Sequence, residues 1–179
     1  MRIIAGRFKG RRLDAPRWEG LRPTSDKLRE TLFNIIAPRV EGARVLDVFA
    51  GTGALGLESL SRGAVSVVFI EHDRRAAALV AANAERCGAA DRCAIIRDTA
   101  ERVLQNEIAG GPFDLVMLDP PYDYEPLGPV VARAAAQLAP HGLLILEHAS
   151  RRAAPEAEGL VASRTVRSGD SSLTMFEAG

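Results

Sequence analysis

Apolar and polar positions change rhythm along this chain, and the rhythm predicts its elements. From residue 43 onward, short apolar runs alternate with stretches of helical spacing. Runs such as Val65-Ser66-Val67-Val68-Phe69-Ile70 and Leu143-Leu144-Ile145-Leu146 are apolar nearly throughout. That pattern fits strands buried on both faces, as in a parallel sheet. Strands are predicted at 44–49, 65–70, 94–97, 114–118 and 142–147, and helices at 53–62, 74–87, 99–108 and 126–138. The segment 160–177 reads as two strands around Ser168-Gly169-Asp170, which adds an antiparallel edge. The sum is a doubly wound α/β fold: a mostly parallel, seven-stranded sheet with helices on both faces. Such folds place ligands at the carboxyl ends of their strands.

The first 42 residues follow another pattern. Residues 1–13 read as a hairpin, with Arg2-Ile3-Ile4-Ala5 returning through Arg11-Arg12-Leu13 and turns at Gly6 and Gly10. Thr24 or Ser25 is placed to cap a helix that Pro38 ends, with Leu28, Leu32, Ile35 and Ile36 on one face. We therefore expect one domain over 1–179: an arm at 1–23, a packing helix at 24–38, and a core at 43–179. The length of 179 residues suits a single core.

Charge changes this picture. The formal net charge is zero, yet residues 1–29 hold nine basic and three acidic side chains, so the remaining 150 are net negative. A basic arm on an acidic body suits contact with phosphate on one face only, although a solvated hairpin has the same composition. No run of about 18 apolar residues predicts a membrane span, and no secretory signal opens the chain. Cys87 and Cys93 form neither a disulfide framework nor a zinc pattern, and His141 and His148 lack ligand spacing. We expect a cytoplasmic monomer without a metal site.

The candidate chemistry lies at two strand ends. Asp47-Val48-Phe49-Ala50-Gly51-Thr52-Gly53 runs from a strand into a glycine turn, and Gly51 through Gly56 satisfies G-x-G-x-x-G. Glu71 follows Gly51 by 20 residues, where a ribose-binding carboxylate belongs. A nicotinamide dinucleotide and S-adenosylmethionine both suit this turn. Asp47 favours the second, because a carboxylate there repels pyrophosphate and attracts an ammonium or sulfonium. The alternative role for Asp47 is a helix-capping or turn carboxylate. Asp98, followed by Thr99, is placed either to accept from adenine's amine or to cap the next helix. His72 either flanks the cofactor or is simply exposed.

The second strand end is Asp119-Pro120-Pro121-Tyr122, after Leu115-Val116-Met117-Leu118. The nitrogen of an exocyclic amine on a nucleobase is a weak nucleophile, because its lone pair is delocalised into the ring. Asp119 and the Pro120 carbonyl offer two acceptors for its hydrogens, and Asp119 is also a candidate cofactor-binding residue. Two prolines stiffen the turn, and Tyr122 offers a stacking face. The target amine is left open between guanine and adenine, in RNA or DNA, and a binding-only assembly factor is the other alternative.

With these residues in view, the chain resembles the bacterial RsmD family over nearly its whole length. The matching segments are Met1–Gly6 with Gly10–Leu13, Leu21-Arg22-Pro23-Thr24-Ser25-Asp26-Lys27 through Asn34, Leu46–Glu58, and Asp119–Tyr122. The resemblance implies a Rossmann-like class I methyltransferase that uses S-adenosylmethionine to methylate the N2 amine of a guanine in 16S ribosomal RNA. Its implied partner is the small ribosomal subunit or an assembly intermediate. Arg7, Lys9, Arg11 and Arg12 would bind RNA phosphate. Arg22 and Arg29 would position RNA or the cofactor carboxylate.

Overall fold

The computed structural model describes residues 1–16 and 26–178. The sheet has seven strands: β1 (Arg44–Val48), β2 (Ser66–Ile70), β3 (Cys93–Ile96), β4 (Phe113–Leu118), β5 (Leu138–Ala149), β6 (Leu160–Ser168) and β7 (Ser171–Ala178). Their order is β3-β2-β1-β4-β5-β7-β6. Strands β1 to β5 run parallel, while β7 is antiparallel to both β5 and β6. The chain direction across the sheet reverses between β1 and β4, which places Asp47 and Asp119 at the ends of adjacent strands. A crevice at this switch point follows from topology alone.

The helices are α1 (Asp26–Ile36), α2 (Ala54–Ser61), α3 (Arg74–Cys87), α4 (Ala100–Val103) and α5 (Leu127–Ala135). Two apolar clusters cover the two sheet faces. One joins α1, α2 and α3 to Val45, Leu115, Met117 and Ile145; the other joins α5 to Leu46, Val116, Leu118 and Leu144. Among the described residues, no helix is long and apolar enough to cross a membrane.

The arm belongs to the first cluster. Ile3, Phe8 and Leu13 are 1%, 3% and 4% exposed. Burial of each contributes up to about 1.5–3 kcal/mol. The expected hairpin is a tight loop with one antiparallel bridge, Arg2–Arg12. The amides of Ile3, Gly10 and Leu13 bond within the arm, to the carbonyls of Arg11, Ile3 and Met1, while others tie it to α2: Ile4 and Ala5 donate to the Glu58 carboxylate at 2.8 and 3.0 Å, and Phe8 donates to Ser61 Oγ at 2.9 Å. A side chain at Gly6 would lie 1.9 Å from the Ser61 carbonyl, so this approach requires glycine.

Two boundaries differ from expectation. Helix α4 is one turn rather than the stretch 99–108, because the Gln137 side chain binds Ile108 N and Asn106 O in place of helical partners. Strand β5 begins at Leu138, four residues early, with a register shift opposite Phe113–Leu115. Between β5 and β6, Ala157 is buried and Arg152 pairs with Glu125. The caps proposed at Thr24 or Ser25 lie outside the described residues.

Candidate active site

The glycine turn is built by backbone geometry. Phe49, Gly51 and Gly53 have φ of 64, 57 and 76°, so the chain reverses sharply between β1 and α2. Phe49 takes this left-handed conformation without being glycine, a cost that clusters at functional sites. Gly56 serves packing: a Cβ there would lie 2.4 Å from Phe69 Cε1 on β2.

The three glycine amides of this turn already have carboxylate or carbonyl partners. Gly51 N donates to Glu71 Oε2 at 2.8 Å, Gly56 N to Asp47 Oδ2 at 2.9 Å, and Gly53 N to the Ala50 carbonyl at 2.7 Å. A pyrophosphate needs such amides for itself. The turn is therefore a poor dinucleotide cradle, and its charge favours a cation. Asp47 is 1% exposed and Glu71 6%. Burial pushes the Asp47 carboxyl up to about 8; the Gly56 bond opposes this, and the charges of Asp119 and Glu71 add to it. Three carboxyl groups thus converge at the ends of β1, β2 and β4. An ammonium or sulfonium entering here would restore the ionised form of Asp47.

Beside this cluster lies a cavity of about 140 Å³. It brings together Phe49, Glu71, His72, Asp98, Thr99 and Pro121 from the sequence-predicted set, and adds Ile70, Ala100, Glu101 and Tyr124. Phe49 and Tyr124 meet edge to face, with ring centroids 4.9 Å apart, and the Tyr124 hydroxyl donates to Glu101. That bond lowers the pKa of Glu101, while burial first and then Glu101 raise that of Tyr124. The cavity suits a flat ring between apolar walls, with carboxylates at its edge for ribose hydroxyls and an exocyclic amine. These residues fit the adenosyl part of S-adenosylmethionine. Asp98 also accepts from Thr99 N at 2.8 Å, so it lines the cavity and holds the entry to α4 together. His72 is exposed, 3.3 Å from Glu71 Oε1.

Asp47, Ala50, Gly51, Thr52, Gly53 and Asp119, also in the predicted cofactor set, do not line this cavity. Thr52 turns toward the arm: its carbonyl accepts from Asn83 Nδ2 at 3.0 Å, and its hydroxyl meets Met1 Sδ at 3.6 Å. Asn83, fully buried on α3, also accepts from Asp14 N at 2.8 Å, so one amide joins the arm to the turn.

At the end of β4, Asp119 is half-buried and its N–H donates to the Val48 carbonyl at 3.3 Å. Pro120 is buried, Pro121 exposed and Tyr122 half-buried. The Tyr122 hydroxyl bonds Ser171 Oγ on β7, which fixes the ring that sequence reasoning assigned to stacking.

The basic residues divide. Arg7, Lys9, Arg11 and Arg12 are exposed on the arm. Arg11 also donates to the Arg86 carbonyl at 2.7 Å and covers the Phe8 ring, which Arg92 covers too. Arg29 corrects the prediction. It is fully buried, with Nη2 donating to the Arg2 carbonyl at 2.6 Å and to Asp26 at 2.9 Å, so it anchors the arm and does not face RNA. Its spacing to Phe33 and Ile36 on α1 puts it on the inward stripe, a signal present in the sequence. Arg22 lies outside the described residues.

Sequence reasoning missed Tyr124, Glu101, Asn83 and Glu58. Tyr124 is one of only two tyrosines, two residues past the tetrapeptide, and Glu58 is an acid within an apolar helix. Both were legible signals. Asn83 had none.

A protein-family model described as conserved hypothetical protein 95 matches residues 1–177. The protein named Ribosomal RNA small subunit methyltransferase D from Escherichia coli strain K12 is 43% identical over 122 residues, 68% of this chain and 60% of that protein. YlbH of Bacillus subtilis is 34% identical over 181 residues, 99% of this chain and 98% of that protein. The solved structure of yhhF from Escherichia coli superposes with a TM-score of 0.88 at 33% identity, covering 99% of this chain and 97% of that one. Arm, glycine turn and Asp-Pro-Pro-Tyr all lie inside the family-model match, and the chain belongs to the RsmD family, with its Rossmann-like methyltransferase fold.

Proposed function

We propose that this protein transfers a methyl group from S-adenosylmethionine to the exocyclic N2 amine of a guanine in 16S ribosomal RNA, in the small subunit or an assembly intermediate. One observation carries the reading. A cation-favouring cluster of Asp47, Glu71 and Asp119 adjoins a rigid turn whose acceptors suit an aromatic amine. The names of the family members support the RNA substrate. Both sheet faces are covered by the protein's own helices, in keeping with a monomer.

S-adenosylmethionine supplies an electrophilic methyl group on a sulfonium. The protein's own residues do the rest. Phe49, Ile70, Pro121 and Tyr124 would enclose the adenine, with Asp98 placed for its amine and Glu71 for the ribose hydroxyls. Asp119 and the Pro120 carbonyl accept the two amine hydrogens, so the nitrogen lone pair leaves conjugation as it attacks. Proline supplies no competing N–H, and the turn's restricted φ pre-aims both acceptors. Tyr122, held by Ser171, presents a fixed face to the base. The amine's proton leaves through Asp119 or water after transfer. Arg7, Lys9, Arg11 and Arg12 engage phosphate and orient the RNA.

The test is radiolabelled methyl transfer to small subunits from cells lacking the endogenous activity, followed by nucleoside analysis. The expected product is N2-methylguanosine at one site, abolished in Asp119→Ala with cofactor affinity changed by only a few-fold. Label on adenine, or undiminished turnover in Asp119→Ala, would overturn the reading.

A further inference from the structure

We propose that Glu125 and Arg152 read the edge of the acceptor base and select guanine over adenine. The inference rests on the function proposed above and names residues that would set its base specificity.

A second cavity, of about 170 Å³, adjoins the first, and Pro121 lines both. Its walls include Pro120 and Tyr122, so it opens on the acceptor turn itself. Four lining side chains bring polar chemistry: Tyr122, whose hydroxyl is held by Ser171, and His148, Glu125 and Arg152. His148 is committed to the fold. Its Nε2 pairs with Thr174 Oγ1 at 2.9 Å, its Nδ1 lies 3.2 Å from the Ala149 carbonyl, and burial lowers its pKa, so the ring is neutral. Glu125 and Arg152 are the charged groups of this cavity. Arg152 Nη1 donates to Glu125 Oε1 at 3.0 Å, with the side chains 48% and 67% exposed for Arg152 and Glu125.

The contact sets a strong donor and a strong acceptor side by side. Guanine presents the complementary order. Beside its N2 amine lies N1–H, a donor, and beside that O6, an acceptor. With the amine at Asp119 and the Pro120 carbonyl, N1–H faces the Glu125 carboxylate and O6 faces the Arg152 guanidinium. An adenine amine in the same place is flanked by N1 and N7, both acceptors. Glu125 would then meet a lone pair and gain no hydrogen bond. A site built to hydrogen-bond one edge rejects the analogue that lacks it, because its polar groups are left unpaired. An exposed ion pair contributes little to stability, so removing it leaves the fold intact.

The test uses the RNA methylated in the preceding assay, with the modified guanosine replaced by 2-aminopurine through splinted ligation. This base keeps the N2 amine but lacks both N1–H and O6. We expect wild-type kcat/KM to be about 10- to 100-fold lower on 2-aminopurine than on guanine. In Glu125→Gln/Arg152→Met, transfer to guanine should fall by a similar factor. Transfer to 2-aminopurine should hold within about twofold, so that the preference collapses. Thermal melting of the variant should match wild type. Equal loss on both bases, or an unchanged preference, would overturn the assignment and leave a surface ion pair. Wild-type enzyme that binds S-adenosylmethionine yet labels neither base would instead overturn the proposed function, and this specificity with it.

Discussion

Replacing Asp47 with asparagine probes the electrostatics on which the site depends. The Asp47 carboxyl is 1% exposed, and its pKa rises from 3.8 to about 8. Between those values the folded protein holds a proton that the unfolded chain releases. The folded state therefore binds more protons, and its stability falls as pH rises through that window. Each unit of pH corresponds to about 1.4 kcal/mol, so the loss between pH 5 and pH 8 is about 3–4 kcal/mol. Asp47→Asn keeps an acceptor for Gly56 N and removes the titration. In urea denaturation, wild type should lose about 3–4 kcal/mol more than the variant across this range, with the variant the more stable at pH 8. The functional effect has the opposite sign. An amide cannot balance a bound cation, so affinity for S-adenosylmethionine should fall by about tenfold or more. Wild-type binding at pH 7 should release a proton, visible as a calorimetric heat that depends on the ionisation enthalpy of the buffer. Parallel stability curves for the two proteins from pH 5 to pH 8 would refute the reasoning.

Other expectations concern packing and the arm. Gly56→Ala places a methyl 2.4 Å from Phe69 Cε1 and 2.7 Å from Val67 Cγ1, both buried on β2. It should destabilise by about 1–3 kcal/mol, read from the urea midpoint, and a wild-type midpoint would contradict the close contact. Glu58→Ala removes the acceptor for Ile4 N and Ala5 N and leaves Arg62 without its carboxylate. The loss should be about 1–3 kcal/mol for each donor left buried. Amide exchange at residues 4 and 5 should quicken; unchanged exchange would show that Glu58 does not hold the arm. Reversing charge at Arg7 and Lys9 should weaken RNA binding and lower the salt slope by about one per lost phosphate contact. An unaltered slope would move the RNA face elsewhere.

The sequence made the sheet legible because burial on both faces leaves a plain mark: unbroken apolar runs at 67–70, 115–118 and 143–146. It made the glycine turn and the acceptor tetrapeptide legible because both depend on residues with unusual backbone properties at fixed short spacing. It failed where a role depends on what lies across the fold. Arg29 looked like one more cation in a basic segment, yet its place on the inward face of α1 makes it an anchor for the Arg2 carbonyl. Helix α4 was overestimated because the competing partner of its last turn, Gln137, lies 31 residues past Asn106.

Local pattern thus determined the order of elements, the parallel sheet and the two strand ends that carry chemistry, since periodicity and turn residues act over a few positions. Tertiary structure alone decided that Asp47, Glu71 and Asp119 converge, that Asn83 ties the arm to the glycine turn, and that Tyr124 closes the cavity over Phe49. Those outcomes depend on contacts between residues 20 or more positions apart, set by sheet order and register. No local pattern encodes such contacts, because only packing brings their partners together.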